Sequence, residues 1–185
     1  MTQPTAFGRK LPRNDWEGDD FTPGAGGKFV TCGDTAAGRM VAWATNGRID
    51  KDGRIYRASI ARDVDGVTLV QLRAEVKAVA HLPLNIPIAT GVMTQASVTA
   101  HLRAGRGLIV NGLYSTIPRA YRHQLAAAFN HSMFAGYISS TGALRLWDPL
   151  NPDTNAYGRV VPLSILWPFL ASLHYAVAYV PLQPL

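Results

Sequence analysis

Three side chains of this sequence are of the types that together cut an acyl bond: Cys32, His131 and Asp148. Cys32 is the single cysteine, and it stands at or just before a stretch in which Ala36, Ala37, Met40, Val41 and Ala44 recur at helical spacing. Asp34 or Thr35 can open that helix, and Asn46-Gly47 can close it. A thiol at a helix start feels the positive end of the helix dipole, which favours thiolate. His131 sits at the mouth of an apolar run, where a strand can hold an imidazole rigidly enough to take the thiol proton. Asp148 follows a second apolar run and can orient the imidazole through its other nitrogen. Taken singly, each has a plainer reading. A lone cysteine is commonly a small buried hydrophobe, a lone histidine a surface or capping residue, and Asp148-Pro149 a turn opener. Their order and spacing favour the chemical reading.

The elements that must position these groups can be traced along the chain. Residues 1–28 hold three prolines and several glycines without helical or alternating pattern, and read as an extended arm ahead of a domain spanning 29–185. Residues 48–66 carry turn signals, with a short strand possible over 55–60. Val67 to Ala80 has helical spacing, Leu84 to Ala89 is a short strand candidate, and Thr94 to Ala104 is a helix ended by Gly105. The apolar run from Gly107 to Tyr114 reads as a strand. Ser132–Ile138 and Ala143–Trp147 read as a hairpin joined by Ser139-Ser140-Thr141-Gly142, which brings the His131 and Asp148 ends side by side. Ser164 can cap a helix reaching about Leu173, and Tyr175–Val180 reads as a last strand stopped by Pro181. Helices first and an antiparallel sheet later is an α+β pattern.

Composition bounds the partners. At 185 residues and 48% hydrophobic content the chain can fill a core. One cysteine excludes an intrachain disulfide and a thiolate-rich zinc site. His81, His101, His123 and His174 make no metal-ligand spacing, and Gly24-Ala25-Gly26-Gly27-Lys28 lacks the spacing of a phosphate loop, so neither metal nor cofactor is expected. Of these histidines His123 is the one expected nearest the site, because it precedes the His131 strand. No apolar run is long enough for a membrane span, and residues 1–20 contain no signal-peptide core. The net charge is +6, with 14 of the 18 basic residues arginine. Between Glu75 and Asp148 lie six basic residues and no acid. A GC-rich genome, which enriches arginine and alanine, and a solvated surface account for such a balance, and an anionic partner is the sharper reading. Nucleic acid is disfavoured, since no helix-turn-helix or exposed aromatic series appears.

The segment Thr31-Cys32-Gly33-Asp34-Thr35-Ala36-Ala37-Gly38-Arg39-Met40 resembles the nucleophile helix of C39-like cysteine peptidases, a branch of the papain-like superfamily. The resemblance continues in order through Gly66-Val67-Thr68, then 100–105 with the strand 107–110, then His131 with Gly136-Tyr137. It goes on through Leu146-Trp147-Asp148-Pro149 and Val161-Pro162-Leu163-Ser164, covering roughly residues 29–175. It implies a papain-like α+β fold, with an N-terminal nucleophile helix packed on a C-terminal antiparallel sheet. It assigns Cys32 as nucleophile, His131 as base and then acid, and Asp148 as orienting residue. The family's oxyanion glutamine has no counterpart near Cys32, since the upstream glutamine is Gln3. Lys28 or backbone N–H groups could stand in, and Asp34 replaces the usual Pro or Gly. The family further implies an enzyme hydrolysing an amide bond, with the stem peptides of peptidoglycan as substrate. The absence of a signal peptide suggests a phage-encoded chain, in the virion or in the host cytoplasm before release. The alternative is a catalytically weak or inactive papain-like domain serving as a structural tail or virion protein, joined to other virion proteins through the arm.

Overall fold

The structure, a computed structural model, describes residues 32, 33, 36, 37, 39, 40, 74, 88–89, 94–122, 130–150, 159–171 and 177–181. The expected arm 1–28, the turn-rich stretch 48–66 and His81, His123 and His174 lie outside these residues, as does all of the expected helix 67–80 except the helical Ala74. The described strands are β1 (Ile88–Ala89), β2 (Arg106–Leu113), β3 (Asn130–Ile138), β4 (Ala143–Trp147), β5 (Arg159–Pro162) and β6 (Val177–Pro181). They form one sheet in the order β1-β6-β2-β3-β4-β5, and every pairing is antiparallel. Helix α1 (Gln95–Arg103) precedes β2, and α2 (Leu163–Ala171) runs directly on from β5. This is an α+β arrangement.

Local chemistry explains the boundaries. Thr94 caps α1: its hydroxyl accepts from Ser97 N at 3.1 Å, and Ser97 Oγ accepts from Thr94 N at 3.1 Å. This reciprocal box satisfies two donors that a helix start leaves without partners. Gly105 takes φ 75°, which turns the chain into β2. In the hairpin between β3 and β4, Gly142 N donates to Ser139 O at 3.0 Å, and Gly142 at φ 79° returns the chain to the strand. Leu163 N donates to the Gly142 carbonyl at 2.9 Å, tying the start of α2 to this turn.

Register sorts the side chains onto two faces, because directly opposed residues of an antiparallel pair share one. Gly112, Val110 and Leu108 oppose His131, Met133 and Ala135, and Ala135 opposes Leu146. Leu108, Val110, Met133, Ala135 and Leu146 join Val98 and Leu102 of α1 and Leu163, Leu166, Phe169 and Leu170 of α2 in one core. A bulge between Ala135 and Tyr137 shifts the register, so that Ile138 opposes Leu144 and joins the same core. The other face buries Ile109, Phe134 and Trp147, the last two stacked with ring centres 5.1 Å apart.

Three expectations need correction. Cys32 and Gly33 are already helical, upstream of the expected opening at Asp34 or Thr35. Ser164 is the second residue of α2 rather than its cap, because β5 passes into the helix without a loop. β1 lies before α1 and α2 lies between β5 and β6, so helices and strands interleave more than a helices-then-sheet reading implies.

Candidate active site

His131 stands one residue inside β3, not at its mouth: the strand begins at Asn130, and His131 opposes Gly112 of β2. Its side chain is fully buried on the core-side face of the sheet. A glycine opposite it leaves room that a larger side chain would fill. The Phe169 carbonyl oxygen of α2 occupies that room so closely that a Cβ on Gly112 would lie 2.1 Å from it.

Asp148 follows β4, two residues beyond the core residue Leu146, and its side chain is buried. Its Oδ1 lies 2.7 Å from His131 Nε2 and also accepts from Leu150 N at 3.0 Å. The second of these bonds is the Asx turn expected of Asp148-Pro149, made together with the bond to the imidazole rather than in its place. Oδ2 accepts a hydrogen bond of 2.7 Å from the Tyr114 hydroxyl. Tyr114 is fully buried in the turn Tyr114–Thr116 that follows β2, and its ring meets the His131 ring edge-on, centres 4.7 Å apart.

The carboxylate's Nε2 bond leaves Nδ1 as the nitrogen that can face a thiol. The Cys32 side chain acts on the His131 ring through hydrogen bonding and charge, to a smaller extent than Asp148 does. Cys32 is half-buried, whereas His131 and Asp148 are closed off from solvent. Along the same helical stretch Ala36, Ala37 and Met40 are fully buried, as their spacing predicts. The structure thus brings together the three side chains singled out from the sequence.

Electrostatics follow from this burial. Desolvation opposes charge on His131, and it is outweighed by the Asp148 charge and hydrogen bond and by those of Cys32, which raise the imidazole to about 10. For Asp148, burial pushes the carboxyl up, and it is outweighed by the His131 charge and by bonds from His131, Tyr114 and Leu150 N, which hold it below the usual carboxylate range. His131 and Asp148 are therefore held as an ion pair at neutral pH.

His101 is placed elsewhere. It lies in the last turn of α1, where Arg106 Nη1 donates to its Nδ1 at 2.8 Å, and burial followed by the Arg106 charge lowers its pKa. No group of three or more potential metal ligands occurs among the described residues, and no helix among them is long and apolar enough to cross a membrane. Sequence reasoning missed Tyr114. As the last residue of an apolar run, it carries no local signal that distinguishes it from an ordinary core aromatic.

No family model and no curated protein matches the chain. Among solved structures it is similar to a Bacillus anthracis protein described as a "putative C39-like peptidase". The two share 14% identity at a TM-score of 0.51, with 92% of each chain covered. At that identity the likeness extends to the fold.

Proposed function

We propose that this chain is a cysteine peptidase that hydrolyses an amide bond through a thioester on Cys32. The observation that carries the reading is the buried His131, bonded at 2.7 Å to Asp148 through Nε2 and acted on by the half-buried thiol of Cys32. A nucleophile, a base and a group that orients the base are then in sequence across one imidazole. The fold shared with the Bacillus anthracis protein supports the same class.

In this mechanism the proton shared by Cys32 and His131 sits on Nδ1 of the charged imidazole, and the Cys32 sulfur attacks the carbonyl carbon of the scissile amide. The tetrahedral intermediate collapses as the C–N bond breaks, and the imidazolium gives its proton to the leaving amine. Water then attacks the thioester carbonyl, His131 accepts a proton from it, and the C–S bond breaks to release the acid. The proton stays on Nδ1 of the imidazolium, which restores the starting pair. Asp148 holds the ring with Nδ1 toward the sulfur and supports the imidazolium that serves both half-reactions.

The proposed substrate is the stem peptide of peptidoglycan, within the setting of a phage virion or of host lysis. Its support is the resemblance of the motifs and the acid-free stretch 76–147, whose six basic residues suit an anionic wall. The test follows release of new amino groups from purified actinobacterial peptidoglycan and from a panel of peptides. Wild type should release them, Cys32→Ala should not, and Asp148→Asn should fall between, because an amide can still orient an imidazole. Equal release by wild type and Cys32→Ala would reject the peptidase reading and favour a structural role for the domain.

A further inference from the structure

We propose that Tyr114 is the positioning residue of this site: its hydroxyl fixes the Asp148 carboxylate so that Oδ1 stays directed at His131 Nε2. The inference rests on the reading of Cys32, His131 and Asp148 as the reacting group, and it adds a fourth member that acts through Asp148 alone.

The geometry supports this role step by step. The torsion that turns a carboxylate about its Cβ–Cγ bond is broad, so its orientation is set by its hydrogen bonds. Both other donors described on Asp148, His131 Nε2 and Leu150 N, bond to Oδ1. Tyr114 supplies the bond on Oδ2, at 2.7 Å. A phenol donating to an ionised, desolvated carboxylate forms a charge-assisted bond, roughly twice the strength of a neutral one. The tyrosine is itself held in place. Its backbone carbonyl accepts from Ile117 N at 3.1 Å, and Thr116 Oγ1 closes the same turn onto Leu113 O at 2.6 Å. Its ring, 65° from the plane of the His131 ring, bounds the imidazole on that side. The groups facing Asp148 among the described residues are thus His131 from β3, Tyr114 from the turn after β2 and the backbone of Leu150. Cys32 lies beyond the imidazole.

Tyr114→Phe removes one oxygen and keeps the buried ring, so the variant should fold. Because Cys32 is the sole cysteine, the rate of alkylation by iodoacetamide reports this thiol alone. In Tyr114→Phe the rate at pH 6 should fall about tenfold, the scale of losing one hydrogen bond to a charged group, and the acid limb of the pH profile should move to higher pH. In an Asp148→Asn background the same change should have no further effect. A fall of equal size in both backgrounds, or none in either, would overturn the proposal. A second measurement stands apart from the thiol. The acid limb of the urea-midpoint profile should also move to higher pH in Tyr114→Phe, because Asp148 loses a bond that keeps it ionised, and an unmoved limb would overturn the role. If wild-type Cys32 alkylates no faster than free cysteine at pH 6, the peptidase reading fails, and this second profile alone decides the Tyr114–Asp148 contact.

Discussion

The imidazole of His131 lies at the centre of the site, and its charge state ties folding to pH. Its folded pKa, about 10, is above the value of about 6.5 expected in the unfolded chain. A group raised in this way contributes stability that is fully present below the unfolded pKa and is lost as pH rises through the folded one. Asp148 runs the other way. Held below the usual range, it contributes above its unfolded value of about 3.9 and loses that contribution as pH falls through its folded pKa. The urea midpoint of wild type minus that of His131→Gln should therefore have a plateau in weakly acidic solution and shrink between about pH 6.5 and pH 10. A difference that stays constant from about pH 6.5 to pH 10 would show that folding does not hold the imidazole charged in that range. At this scale the sequence was informative about types and order. A cysteine at a helix, a histidine at one hairpin strand and an aspartate past the other are recognisable from spacing. Tyr114 was not, because its partner Asp148 is 34 residues away and only the pairings of β2 with β3 and of β3 with β4 bring them near.

At the level of elements, the close approach of α2 to β2 controls the space around His131. Gly112 opposes His131, and a Cβ there would come within 2.1 Å of the Phe169 carbonyl oxygen and 2.7 Å of its carbon. These are backbone atoms, so rotating a side chain cannot relieve the clash, and α2 or β2 must move. Gly112→Ala should cost about 1–3 kcal/mol, the range of an overpacked core. Gly142→Ala meets nothing within 4 Å and should cost only the strain of φ 79°. Thermal melts of the two variants should rank Gly112→Ala as the less stable, and the reverse order would show that the helix yields easily. The hairpin, α1 and β2 were legible in the sequence because their signals are local: a glycine that ends a helix, apolar runs, and a turn of small polar residues. The β5-to-α2 passage was not, since nothing in Pro162-Leu163-Ser164 marks where a strand becomes a helix. The bulge at 135–137 was also illegible, because it arises from pairing with β4 and not from residues 135–137 alone.

Over the whole molecule the charge is lopsided in kind as well as in number. The chain carries +6, fourteen arginines and only two glutamates, and the stretch 76–147 that includes β2, β3, β4 and His131 has no acidic residue at all. A surface rich in arginine attracts an anionic polymer without needing a shaped pocket, and salt screens that attraction, with a Debye length of about 10 Å at 0.1 M. The proposed wall substrate makes this measurable separately from catalysis. Cys32→Ala, which leaves every basic residue in place, should co-sediment with purified wall that keeps its anionic polymers at low ionic strength. It should be released progressively as sodium chloride is raised through a few tenths molar. Wall stripped of those polymers should retain less of the protein at every salt concentration. Retention that ignores both salt and polymer would mean that recognition runs through the peptide alone, and the basic stretch would then be a solvated surface with no part in substrate capture.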